Sequence, residues 1–236
     1  MGDVWTTPKR IQVIGRGRAG SAIAGRLTER GLTVVGGRTA DPHADLVVLA
    51  VPDAMISAVA QAIPAGPWMA HVSGATPLTA LDPHTRRFAV HPLQTLTRSR
   101  GPEQLDGAWA AVTGESVAGW QAATWFADAL GLRAFPLADA DRALYHAGAA
   151  VASNFLVTLY RVAARLLAQS GAPPEALEPL MRRVIENGFE LTGPIARGDW
   201  STVEAHLAAL HERAPDLEYL YRALADATRA TIEHEH

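Results

Sequence analysis

The chain has no cysteine and a single lysine among its 236 residues, and these two scarcities remove several chemistries at once. Without cysteine there is no disulfide, no thiolate nucleophile and no cysteine-ligated metal, a pattern that fits a cytoplasmic protein. The one lysine, Lys9, precedes the first strand, so a Schiff base, a phosphate-loop lysine and a lysine general acid are all excluded. Charge is also sparse, at 19% of residues against about 25% in average soluble domains. Net charge is -3 and no segment gathers a run of basic residues, so the electrostatic footprint of a nucleic-acid binder is missing. No uninterrupted apolar run approaches the roughly 18 residues of a membrane span. The expectation is a chain without nucleic-acid or membrane partners, acting on a small molecule.

What is present is organised around residues 11–20, IQVIGRGRAG. An apolar strand pattern runs into Gly15-x-Gly17-x-x-Gly20, and a helical pattern then opens through Ile23, Ala24 and Leu27. Gly15 permits the tight strand-to-helix turn, Gly17 lets backbone approach a pyrophosphate, and Gly20 lets the helix pack closely on the strand. The helix N-terminus, through Arg16, Arg18 and Ala19, presents free N–H groups and partial positive charge to phosphates. About 20 residues past the first glycine, an NAD site carries a carboxylate for the ribose hydroxyl. Here that place holds Gly36-Gly37-Arg38-Thr39. An arginine fork and a hydroxyl suit a 2'-phosphate, so the loop reads as NADP; a solvated arginine in a surface turn is the plain alternative.

Residues 45–51, DLVVLAV, are continuously apolar, as in a parallel strand covered on both faces. Val51, Pro52 and Asp53 follow at its end, placed either to touch the cofactor or, for Asp53, to cap the next helix. Residues 68–72 form the next strand, and Ser73 follows it, either lining the ligand crevice or capping a turn. His91 ends a short strand at 88–90, with Gln94 and Thr95 close behind. Residues 108–112 and 132–137 add two strands around a helix carrying Trp120, Trp125 and Phe126. From Asp139 the pattern is helical only. Residues 139–170 read as one helix of about 45 Å at 1.5 Å per residue, apolar all round from Ala147 to Leu159. A helix of that kind needs covering on every side, by its own domain or by a second subunit. Further helices start at Pro173-Pro174, at a capping-box pattern in Ser201-Thr202-Val203-Glu204, and at Pro215.

The long helix has three polar exceptions: His146, Ser153 and Asn154. At about 100° per residue, Ser153 lies within about 20° of His146 and Asn154 about 80° round. His146 is the first candidate proton donor and His91 the second, with Asn154 and Ser73 orienting a substrate. A core imidazole satisfied by a hydrogen bond is the plain alternative for His146. Residues 192–199, TGPIARGD, form a glycine-rich loop in which Thr192 and Arg197 suit a carboxylate, alongside Gln94 as a further substrate contact. No metal is expected, because His206 and His211 stand five residues apart on a helix, the wrong spacing for one ion.

The segments GRGRAGSAIAGRL, DLVVLAVPD, HVSGAT, HPLQTL, YHAGAAVASNF and TGPIARGDWSTVEAHL together resemble a family of bacterial Rossmann-like oxidoreductases with a C-terminal helical domain of unknown function. That family is distantly similar to ketopantoate reductases, pyrroline-5-carboxylate reductases and deazaflavin-dependent NADP reductases. The resemblance implies an NADP site, a helical domain for substrate and dimerisation, and a small keto or imino acid substrate. Ketopantoate reductases use a lysine on the first long helix of the second domain, where this chain has His146. The expectation is an α/β protein with a doubly wound Rossmann-like domain over residues 1–137 and an all-α domain over residues 138–236. It is expected to be a cytoplasmic homodimer that reduces a 2-oxo acid of ketopantoate type in the cleft between its domains. The alternatives are an imine reductase of pyrroline-5-carboxylate type and a non-catalytic NADP-binding sensor or scaffold.

Overall fold

The computed structural model describes residues 4–37 and 39–234. Seven strands form one sheet: β1 (Arg10–Ile14), β2 (Thr33–Gly36), β3 (Leu46–Leu49), β4 (Trp68–His71), β5 (Arg87–Pro92), β6 (Trp109–Gly114) and β7 (Arg133–Pro136). Their spatial order is β2-β1-β3-β4-β5-β6-β7. The first five run parallel, β6 turns antiparallel to β5, and β7 runs parallel to β6. Order reverses at β1, which lies between β2 and β3, so the ligand crevice of such a sheet opens at the carboxyl ends of β1 and β3.

Every residue of β3 and β4 is buried, as the unbroken apolar run of β3 requires. The strand period of two divides them between two cores. Leu46, Val48 and Ala70 join α1 (Arg18–Glu29) and α3 (Val117–Ala129) on one face. Val47, Leu49 and Met69 join α2 (Ile56–Gln61) on the other. The architecture is therefore a Rossmann-like α/β sheet followed by helices, as the alternating strand and helix patterns indicated.

The chain divides into two compact units, residues 1–153 and 154–236. The sequence pattern had put the change at 137/138, where strands cease. The helix over Asp139–Gln169 begins with a 3₁₀ turn, continues as α4 (Arg142–Ala150), passes through a π-helical turn at Val151–Phe155, and ends as α5 (Leu156–Gln169). Its first turns belong with the sheet because Arg142, 1% exposed, ties them to the turn after β4 and to β6. The π turn also changes the angular relation of Ser153 and Asn154 to His146, since its i→i+5 pattern departs from 3.6 residues per turn. Ser153 Oγ donates back to the Ala149 carbonyl at 2.7 Å.

The second unit contains α5, α6 (Leu177–Glu186), α7 (Trp200–Arg213) and α8 (Pro215–His234). The cap of α7 is Asp199 rather than Ser201: its carboxylate accepts from Thr202 N at 3.2 Å and Thr202 Oγ1 at 2.7 Å, so the helix starts two residues earlier than the capping-box pattern implied. Arg165 pairs with Asp216 through both guanidinium nitrogens, at 2.6 and 2.9 Å.

Val151 and Phe155 are each 57% exposed, and Leu156, Val157 and Leu159 are also exposed, so the apolar middle of the long helix is left uncovered in a single chain. Although no uninterrupted apolar run reaches membrane length, this 31-residue helix has an 18-residue window of mean hydropathy 1.3 and is long and apolar enough to cross a membrane by length and composition. Alanine and valine keep the average high across the polar interruptions.

Candidate functional site

Two of the three loop glycines are required by the protein itself. Gly15 has φ +119°, and a Cβ there would stand 2.2 Å from the Ala50 carbonyl oxygen. A Cβ on Gly20 would stand 2.1 Å from the Gly15 carbonyl oxygen, so α1 packs directly on the turn that precedes it. Gly17 is different: it has an ordinary φ of -74°, and a Cβ there would meet nothing within 4 Å. It is the N-cap of α1, makes no side-chain cap, and is followed by no acidic residue in the first turn. No side chain caps this helix start and none crowds Gly17, an arrangement that can receive a phosphate.

Across the switch point, the loop after β2 is pinned by a residue the sequence reading passed over. Gln12, in β1 and 1% exposed, donates to the Thr39 carbonyl at 2.7 Å and accepts from Asp41 N at 2.9 Å. Arg16 reaches toward the end of β2, where its guanidinium lies 4.0 Å from the Cβ position of Gly36. Arg38, on which the NADP reading of this loop leaned, lies outside the described residues. Val51 and Pro52 follow β3 in the expected place. Asp53 does not cap the following helix: Pro52 is the N-cap residue, and Asp53 Oδ2 instead accepts from the Ser73 hydroxyl at 2.8 Å.

A second cluster forms past β4 and β5. Ser73 accepts from Thr76 N at 3.0 Å and Ala75 N at 3.3 Å while donating to Asp53, so its hydroxyl is committed to shaping its own turn. That turn presents Gly74, where a Cβ would lie 2.6 Å from His146 Cδ2 and 2.9 Å from His91 Cε1. Both imidazoles thus stand against the one position without a side chain. His91 Nδ1 and the Tyr145 hydroxyl are 2.7 Å apart, and the rings of His91 and His146 are 6.0 Å apart. Burial, then His146 and Arg142, press the His91 pKa down to about 4. Burial raises the Tyr145 phenol to about 12, against a weaker opposite pull from Arg142. Both groups are neutral at pH 7.

Arg142 organises this cluster from beneath. It donates to the Ser73 carbonyl at 3.0 Å, Thr113 Oγ1 at 2.8 Å and Asp139 Oδ1 at 2.8 Å, and Asp139 in turn accepts from Leu78 N at 3.0 Å. One side chain therefore joins β6, the turn after β4 and the first turn of the long helix, from which Tyr145 and His146 project. Neither Arg142 nor Tyr145 was among the residues singled out from the sequence. The local signal was the polar string DRALYH at a helix start, and it did not say which strand the string would meet.

The remaining candidates are placed elsewhere. Gln94 is exposed, with its Oε1 accepting from Thr95 N at 2.9 Å. Asn154, Thr192 and Arg197 belong to the second unit, where Arg197 donates to the Thr192 carbonyl within the glycine-rich loop. His206 and His211 are engaged separately, by Tyr221 at 2.7 Å and Glu218 at 3.1 Å.

His71, at the end of β4, is fully buried with no well-formed hydrogen bond at either ring nitrogen. Burial and the neighbouring Arg142 lower its pKa from 6.5 to about 3. Between those two pH values the unfolded chain holds the extra proton, so stability falls as pH drops through the window. At pH 5 this histidine alone costs about 2 kcal/mol relative to neutral pH. Denaturant unfolding at pH 7 and pH 5 measures the loss, and His71→Leu should remove about that much of it. An unchanged pH dependence in the variant would rule out His71 as the cause.

Residues 108–228, slightly more than half of the chain, match the family described as a domain of unknown function, DUF2520. The chain belongs to that family. No curated protein sequence matches it. In fold, this DUF2520 chain is similar to BF3122 of Bacteroides fragilis, a candidate NADP oxidoreductase, with TM-score 0.79 and 20% identity over 94% of this chain and 98% of that one. It is similar to TM1727 of Thermotoga maritima, with TM-score 0.76 and 22% identity over 95% and 99% of the two chains. An imine reductase of Aspergillus terreus, solved with NADPH4 and dibenz[c,e]azepine, has TM-score 0.65 and 16% identity over 95% and 96%. At these identities the likeness establishes the fold.

Proposed function

We propose that this DUF2520 protein is an NADP(H)-dependent reductase that delivers hydride to a small 2-oxo acid. The observation that carries the reading is the N-terminus of α1, capped by no side chain and uncrowded at Gly17, at the switch point of the sheet. The residues present suit a dinucleotide. Gly15 and Gly20 set the turn, the α1 N–H groups and Arg18 take the diphosphate, and Arg16, Thr39 and Arg38 take the 2'-phosphate. The candidate NADP oxidoreductase and the imine reductase among its structural neighbours support the same cofactor class.

When bound, the nicotinamide supplies the hydride. The chain supplies a hydrogen-bond donor at the oxygen on which charge develops, and water supplies the proton that completes the hydroxyl. With the Tyr145 hydroxyl donating to His91 Nδ1, the other ring nitrogen of neutral His91 carries hydrogen and faces Gly74, 3.0 Å from the Cβ position there. It donates to the substrate oxygen as negative charge develops, and Tyr145 holds the tautomer. His146, at the same glycine, is the second donor. An imine of pyrroline-carboxylate type is the second reading, favoured by the imine reductase likeness, because a neutral imidazole donates equally to nitrogen. NADPH oxidation against a panel of 2-oxo acids and cyclic imines separates these readings. No turnover together with tight NADPH binding would favour a sensor or scaffold, and equal affinity for NADPH and NADH would remove the 2'-phosphate assignment.

The uncovered apolar stretch from Val151 to Leu159 is, in this reading, the contact between two copies of the chain, a cytoplasmic homodimer. A monomeric mass by light scattering at micromolar concentration would overturn it.

A further inference from the structure

A cavity of about 310 Å³ lies beside the glycine loop, and four of the residues around it are arginines. Arg16 and Arg18 come from the loop and the first turn of α1, next to Ser21. Thr97, Arg98 and Arg100 come from the connection between β5 and β6. The only carboxylate pairing with any of the four, among the described residues, is Glu103, 3.8 Å from Arg100, and that carboxylate already accepts from Gly101 N at 3.0 Å. Four guanidinium groups gathered with so little counter-charge focus a positive potential into one cavity. Its volume, at the low end of the roughly 300–1,000 Å³ of small-ligand sites, suits a phosphate-bearing fragment rather than a whole dinucleotide.

The connection is built to hold its arginines in place. The side chain of Gln104, 5% exposed, accepts from Thr97 N at 2.7 Å and donates to the carbonyls of Arg100 and Gly101, each at 2.9 Å. The next turn sits on α1 itself: Arg26 donates to the Pro102 carbonyl at 2.9 Å, and a Cβ on Gly25 would lie 2.6 Å from Pro102 Cγ. The two walls of the cavity are thus fastened to each other below the arginines, which lowers the ordering cost of binding.

We propose that the β5–β6 connection is the outer wall of the phosphate site, and that Arg98 and Arg100 close with Arg16 and Arg18 on the phosphates of NADP(H). This rests on the dinucleotide reading above. The chemistry matches in kind and amount: guanidinium forks pair bidentately with phosphate oxygens, and a 2'-phosphate adds about -1.5 to -2 to the charge of the diphosphate.

The test is equilibrium binding, by calorimetry or fluorescence, of NADPH, NADH and inorganic pyrophosphate. Wild type is compared with the Arg98→Ala/Arg100→Ala double variant, and Arg182→Ala, on the exposed face of α6, controls for net charge. The double variant should bind NADPH at least about tenfold more weakly, lose part of the salt dependence, and keep its unfolding midpoint. Arg98→Lys/Arg100→Lys should fall between, because charge stays and the fork goes. An equal loss for NADH and pyrophosphate assigns the pair to the diphosphate, and a loss confined to NADPH assigns it to the 2'-phosphate. Unchanged NADPH affinity in the double variant, with wild type binding normally, overturns the proposal and leaves the cofactor reading intact. Failure of the wild type to bind NADPH defeats the cofactor reading itself.

Discussion

Arg142→Ala should destabilise the sheet-bearing unit by about 3–5 kcal/mol, the largest stability effect of any single substitution considered for this protein. The side chain is 1% exposed and makes three charge-assisted hydrogen bonds at 2.8 to 3.0 Å. Removing it leaves the Ser73 carbonyl without its donor and the Asp139 carboxylate without its cation, besides opening a cavity. At about 2–4 °C per kcal/mol for a chain of this size, the midpoint of thermal unfolding should fall by about 10 °C. Arg142→Lys should recover little, since one ammonium cannot reach β6, the turn after β4 and Asp139 in the same geometry. A loss below about 1 kcal/mol by denaturant titration would show that the network is dispensable.

On a verified substrate, His91→Ala should lower kcat by about 10²- to 10⁴-fold while leaving NADPH affinity within about twofold. The separation is expected because His91 stands at Gly74, past β4, whereas the residues proposed to hold the phosphates gather around α1. Tyr145→Phe should give a smaller loss, since it removes the partner of Nδ1 but leaves the donor. The pH profile carries a further check. Because the imidazole takes up its proton only near pH 4, activity limited by this group should be flat from pH 7 down to about pH 5 and then change. Near wild-type kcat in His91→Ala would move the role to His146, and retention in both variants would return the imidazoles to structural work.

The residues legible from sequence were those whose reasons are local. Gly15, Gly17 and Gly20 follow a strand and open a helix within ten residues, and the loop can be read without knowing what surrounds it. The unbroken apolar run of β3 announces burial on two faces for the same reason. Ser73 was placed correctly along the chain with two roles open, and the turn-capping one is what its bonds to Ala75 N and Thr76 N show, whereas its bond to Asp53, 20 residues away, could not be read locally. The wheel that put Ser153 beside His146 assumed an α-helix throughout, and a five-residue π turn between Ala150 and Leu156 removes that assumption.

By itself the sequence determined that lysine and thiol chemistry are closed to this protein, that a dinucleotide loop stands near its N-terminus, and that strands give way to helices near Asp139. Composition, spacing and periodicity are properties of neighbouring residues, and neighbours are all that a sequence displays. Only the tertiary structure decided that Tyr145 meets His91 across 54 positions, that Arg142 is buried between β6 and the turn after β4, and that Arg98 and Arg100 face Arg16 and Arg18 across one cavity. Desolvation and hydrogen-bond partnership set the charge and tautomer of each of those groups, and both depend on which distant segments the fold brings together.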